Sequence, residues 1–143
     1  MRTIKFRGYN AKNKQWLYGF YLQNRGENFV CPNEFADCKS WEDYKVDPLT
    51  VGQFTGMFDK NGREIYEDDL VMDDFDHRVF YVSYNEKEAC FYYKEAKENA
   101  DCSEPCMCFY SSKHITVMDT IFGFPISKHP KLKNTTPCSK SKK

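Results

Sequence analysis

Val51-Gly52-Gln53-Phe54-Thr55-Gly56-Met57-Phe58-Asp59-Lys60-Asn61-Gly62-Arg63-Glu64-Ile65-Tyr66-Glu67-Asp68-Asp69-Leu70-Val71-Met72 decides the fold. Asp47-Pro48 opens it with a turn, because proline fixes φ and restricts the residue before it. Gly52, Phe54 and Gly56 alternate onto one face of a strand. Glycine inside a strand marks a bulge, a bend or a close backbone approach. Asn61-Gly62 lies between β-prone runs, which is the strongest short hairpin signal. Arg63 to Tyr66 returns the chain, Glu67-Asp68-Asp69 breaks it, and Leu70-Val71-Met72 starts another strand. A hairpin over residues 50–72 is the reading.

Outward from this segment the pattern repeats. Ile4 and Phe6 alternate with Thr3, Lys5 and Arg7, and Asn10-Ala11-Lys12-Asn13 makes a turn. Trp16, Tyr18, Phe20 and Leu22 then share one face at period two. This gives a hairpin over 3–22. Phe29-Val30-Cys31 is a short strand stopped by Pro32, and residues 33–47 are a loop with room for a helical turn. Arg78 to Tyr84 is apolar on both faces, the mark of a central strand. Ala89 to Tyr93 returns it, giving a third hairpin over 78–93. Lys94 to Asn99 is a candidate for one or two helical turns. Ile115-Thr116-Val117 and Ile121-Phe122 suggest the last strand or two. Short strands with Gly and Asn turns specify an all-β domain, barrel-like or sandwich-like, with long irregular loops. One domain over 1–127 and a basic, disordered tail over 128–143 are expected.

The chain has 143 residues, 17% of them aromatic. That supplies large buried area from few side chains. It contains no apolar run of transmembrane length. The opening residues lack the apolar stretch of a secretory signal, so a cytoplasmic location in a host cell is expected. Seven cysteines without such a signal favour free thiols over a disulfide framework. Cys31 and Cys90 read as small core residues. The formal charge of zero hides segregation: residues 1–26 carry +6, residues 27–119 carry −12 and residues 120–143 carry +6. Such asymmetry bears on association rather than fold.

Thr3-Ile4-Lys5-Phe6-Arg7 resembles the opening of the YopX-like proteins, a family found in phages and prophage regions. Asp47-Pro48 with Thr50-Val51-Gly52-Gln53-Phe54-Thr55-Gly56 is similar to its core, as is Asp59-Lys60-Asn61-Gly62-Arg63-Glu64-Ile65-Tyr66-Glu67. The family follows that Glu with Gly-Asp; here Asp68 stands in the place of the Gly, and Asp69-Leu70-Val71 keeps the rest. Gly123-Phe124-Pro125-Ile126 matches the closing Gly-Asn-Ile motif loosely. The resemblance implies a mostly-β domain of a mobile element and supplies no catalytic residue.

The residues themselves offer little for chemistry. Cys102, Cys106 and Cys108, with Cys138 and His114 or His129, are a candidate zinc set, but a zinc knuckle needs a second Cys pair that Cys31 and Cys38 are too widely spaced to give. Glu67-Asp68-Asp69 and Asp73-Asp74-Phe75-Asp76 lack the spacing of a calcium loop and read as solvated turns. His77, His114 and His129 lie in polar surroundings, and Gly52 to Gly56 lacks the Lys-Ser/Thr of a phosphate loop. No enzyme, cofactor or metal site is expected. Lys5, Arg7, Lys12, Lys14 and Tyr9 form a candidate surface for single-stranded nucleic acid, with bases beside stackable rings. The plainer reading buries Trp16 and Tyr18 and leaves the bases coating an edge. The acidic centre opposes a broad nucleic-acid footprint. Protein contact is the preferred reading, as a homo-oligomer or with a host or phage protein, with aromatic anchors and charge for orientation.

Overall fold

The first hairpin forms as its sequence dictates. Strands β1 (Phe6–Asn10) and β2 (Gln15–Asn24) are joined by the Asn-rich turn, where the Asn10 side chain accepts the Asn13 N–H at 2.7 Å. In this computed structural model residues 1–32, 40–96 and 112–122 are described. Strand β3 (Glu27–Cys31) pairs with β2, and β4 (Gly52–Phe58) pairs with the other edge of β1. β5 (Glu64–Tyr66) completes a five-stranded antiparallel sheet in the order β3-β2-β1-β4-β5. A second antiparallel sheet has the order β8-β7-β6-β9, built from β6 (Asp69–Asp73), β7 (Val79–Asn85), β8 (Cys90–Glu95) and β9 (Ile115–Thr120).

The chain is therefore mainly β, as its turn chemistry requires, but the sheets are not closed into a barrel. Two further local expectations change. The hairpin over 50–72 ends at Tyr66, and β6 leaves to pair with β7 and β9 in the second sheet. Lys94 and Glu95 belong to β8 and not to a helical turn. β7 is central, flanked by β6 and β8, as its two apolar faces demand. The helical turn expected within 33–47 is a 3-10 turn at Trp41–Asp43, whose N-cap Ser40 accepts the Glu42 N–H.

The core lies where β5 meets the second sheet. Ile65 joins Val71, Phe80, Val82, Tyr93, Ile115 and Val117 in one buried cluster. Cys31 is buried and Cys90 half-buried. The cysteines at 38, 102, 106, 108 and 138, His129, the 123–126 motif and the basic tail all lie outside the described residues.

The Asn61-Gly62 turn does more than reverse the chain. Gly62 takes φ +77°, and Asp59 Oδ1 accepts the N–H groups of Asn61 and Arg63 at 2.8 and 2.9 Å. Asp59 Oδ2 accepts the Val117 N–H of β9 at 3.0 Å, and Lys60 N–H donates to the Ile115 carbonyl. The turn thus caps the β9 edge and ties the two sheets together. Burial works to raise the Asp59 carboxyl, but the N–H groups of Val117, Arg63 and Asn61 outweigh it and hold the group below its ordinary value.

Asp59→Ala strands these donors and should cost about 1–3 kcal/mol in urea unfolding. Because the folded group titrates below its unfolded value, its stabilisation is complete above the ordinary carboxylate range and is lost as pH falls from that range through the group's own lower value. The acid-side drop in urea midpoint should be shallower in Asp59→Asn than in the parent chain.

Candidate functional site

The β1–β2 register decides what shares a face. Arg7 lies opposite Tyr18, and Tyr9 opposite Trp16; on the other side Arg7 lies opposite Gly52. Phe54 lies opposite Tyr66. One face of the first sheet therefore carries Tyr9, Trp16, Arg7, Tyr18, Phe54 and Tyr66, with Leu22 further along β2.

Arg7 is the centre of this face and is buried. Its Nη1 donates to Asp69 Oδ1 at 2.6 Å, and its Nη2 to the Glu67 carbonyl at 2.9 Å. The guanidinium carbon lies 5.0 Å from the ring centres of both Trp16 and Tyr66, within the range of cation–π attraction. Asp69 is buried too, and its Oδ2 accepts the Tyr66 N–H at 2.8 Å. Gly52 is required beside this contact: a Cβ there would stand 2.7 Å from the Glu67 carbonyl oxygen. Asp68, in the place of the family's Gly, adopts φ +63°, which a short polar side chain tolerates. Burial pushes the carboxyls of Glu67, Asp68 and Asp69 up, and on each the Arg7 charge pulls the other way.

A second polar group sits on the same face. Lys5 donates to Glu64 and lies over the Phe54 ring. Tyr66 donates its hydroxyl to Glu64 Oε2 at 2.8 Å. Burial and the Glu64 carboxylate push that hydroxyl well above its ordinary value, so it stays protonated.

The rest of the face is open. Tyr18 packs edge-on against Tyr66 yet remains 48% exposed, and Leu22 is 37% exposed. Trp16 is half-buried against Tyr9. The row expected from its period to share one face does so, but that face is not the protein's core.

The candidate residues read from the sequence fall into two groups. Lys5 pairs with Glu64, Arg7 with Asp69 and Lys12 with Asp43. Lys14 is exposed and forms no ion pair among the described residues, and Tyr9 packs on Trp16. Local reading missed Asp69, Glu64 and Tyr66 as partners, since they lie about sixty residues away. Gly52 was the signal that another backbone approaches there. His77 and His114 lie apart from this face, and among the described residues no group of His, Cys, Asp and Glu is placed to hold a metal.

Residues 5–122 match the family model described as YopX protein. The chain belongs to the YopX family. No curated protein matches it. Among solved structures it is similar to the crystal structure of protein EF1440 from Enterococcus faecalis, at 19% identity and a TM-score of 0.47, covering 85% of this chain and 94% of that one. No helix among the described residues of this chain is long and apolar enough to cross a membrane.

Removing one member of the buried Arg7–Asp69 pair leaves the other charge uncompensated. Arg7→Met and Asp69→Leu should each cost about 3–5 kcal/mol in denaturant unfolding, and the double variant well under their sum. Additive losses would show that the two groups do not act as a pair.

Proposed function

We propose that this member of the YopX family is a non-enzymatic assembly module of a phage or prophage that works by protein contact through the open face of β2. One observation carries the reading. Trp16, Tyr18 and Leu22 are patterned as a buried row and remain half open on a sheet face. Completing the burial of such half-open side chains is worth roughly 1 kcal/mol each, so a partner surface gains by covering them together. Aromatic anchors on a rigid support are what association hot spots use. The nearby cations weigh against a single-stranded nucleic acid as the ligand, because Lys5, Arg7 and Lys12 are already matched by carboxylates of the same chain.

Light scattering over a concentration and salt series tests this. The full chain should self-associate, less strongly as salt rises, and Leu22→Ser should shift it toward monomer with its melting temperature little changed. A chain that is monomeric throughout, and binds an oligothymidylate with affinity falling as salt rises, would overturn the proposal.

A further inference from the structure

We propose that Asn61 is a site of spontaneous deamidation that Asp59 holds shut. Of the chain's asparagines, Asn61 is the one followed by a glycine. The reaction uses the backbone nitrogen after the asparagine as its nucleophile. Gly62 offers that nitrogen unhindered: beyond its chain neighbours, no heavy atom lies within 4 Å of where its Cβ would stand. Asn61 is exposed, so water reaches the product. In the reaction the Gly62 nitrogen gives up its proton to solvent base and bonds to Asn61 Cγ. The bond from Cγ to the amide nitrogen breaks, and ammonia leaves after taking a proton from water. Water then opens the resulting succinimide at either carbonyl, giving Asp or isoaspartate. No oxidant or reductant takes part, and residue 61 gains one negative charge.

In the folded chain this nucleophile is occupied. The Gly62 N–H donates to the Asp59 carbonyl at 3.0 Å. The Asn61 and Arg63 N–H groups on either side both donate to Asp59 Oδ1. One buried residue thus holds three successive N–H groups. Asp59 is anchored in turn, because its Oδ2 accepts the Val117 N–H and its own N–H donates to the Arg63 carbonyl at 2.8 Å. Attack requires the Asn61 backbone to rotate until the Gly62 nitrogen faces Cγ, and that rotation breaks the hydrogen bonds of the turn. The Asp59 carboxylate also stands beside a nitrogen that must become negative, which opposes the loss of its proton. Reaction is therefore confined to moments when the turn has opened away from β9, and its rate counts those openings. The isoaspartyl product carries an extra methylene in the main chain after residue 61. The three N–H groups then no longer match the Asp59 oxygens, so each event releases the turn from β9 in one direction only.

Mass spectrometry of protease digests tests this, with Asp and isoaspartate at residue 61 separated by chromatography. The full chain is incubated at mildly alkaline pH, folded and in guanidinium chloride, beside the folded variant Asp59→Ala. The unfolded parent should convert at Asn61 more than roughly tenfold faster than the folded parent, since opening of the turn sets the difference. Asp59→Ala, shown to be folded by circular dichroism, should convert roughly tenfold faster than the folded parent. Asp59→Asn keeps an acceptor for Asn61 and Arg63 but loses the one for Val117, so its rate should fall between the two; it takes the place of Asp59→Ala if that variant does not fold. Modified parent, separated by its added negative charge, should show weaker exchange protection at the Val117 amide. An Asn61 that stays intact in guanidinium chloride would overturn the site. Equal rates in the folded and unfolded parent, or folded Asp59 variants that react no faster than the parent, would overturn the lock. Unchanged Val117 protection in the modified chain would overturn the release of the turn.

Discussion

A buried guanidinium must have its charge answered, and Arg7 is answered from the other sheet. Asp69 stands at the start of β6, where it pairs with Thr120 of β9, while Arg7 pairs along β1 with β2 and β4. The ion pair thus joins the two sheets at the point where the chain crosses between them. Burying such a pair is costly, and it persists only when most of the remaining polar groups are satisfied. Here the Glu67 carbonyl accepts from the second terminal guanidinium nitrogen and the Tyr66 N–H donates to the second carboxylate oxygen, while Arg7 Nε is left buried without a hydrogen-bond partner among the described residues. The Glu67 and Asp68 N–H groups extend the junction, one to Gln53 in the first sheet and one to Val82 in the second. Asp59, held on β9 at the end of the β4–β5 hairpin, fastens the sheets a second time.

The same junction shapes the face. Trp16 and Tyr66 lie against the Arg7 guanidinium, and Tyr18 leans on Tyr66. The half-open rings are therefore set by the buried ion pair beside them on the same face. Rigid aromatic side chains lose little entropy on contact. The buried charge pair and the open contact surface share one face of the first sheet, so variants of Arg7 are expected to disturb both stability and association.

Local chemistry made much of this fold readable. Asn61-Gly62 announced its turn, Gly52 announced a close backbone approach, and the two apolar faces of residues 78–84 announced a central strand. What stayed hidden was long-range. Nothing within Glu67 to Met72 says that β6 pairs with Thr116 and Thr120 instead of continuing the first sheet. Arg7 reads as a surface cation because its carboxylate is sixty-two residues away. Period two shows that Trp16, Tyr18 and Leu22 share a side but not which side faces water. The polar loop at Asp73–His77 likewise gives no sign that Phe75 stands clear of the surface, since a Phe between aspartates fits a buried plug equally well.

The Arg7–Asp69 junction should make the two sheets one cooperative unit. Both tryptophans report on the first sheet, Trp16 from β2 and Trp41 from its contact with Phe29 of β3. Urea unfolding followed by tryptophan fluorescence can be compared with hydrogen exchange at the Val71, Val82 and Tyr93 amides of the second sheet across the same urea series. One unfolding free energy is expected for both, falling together in Asp69→Asn. A fluorescence transition that moves in that variant while the second-sheet amides keep their protection would contradict it.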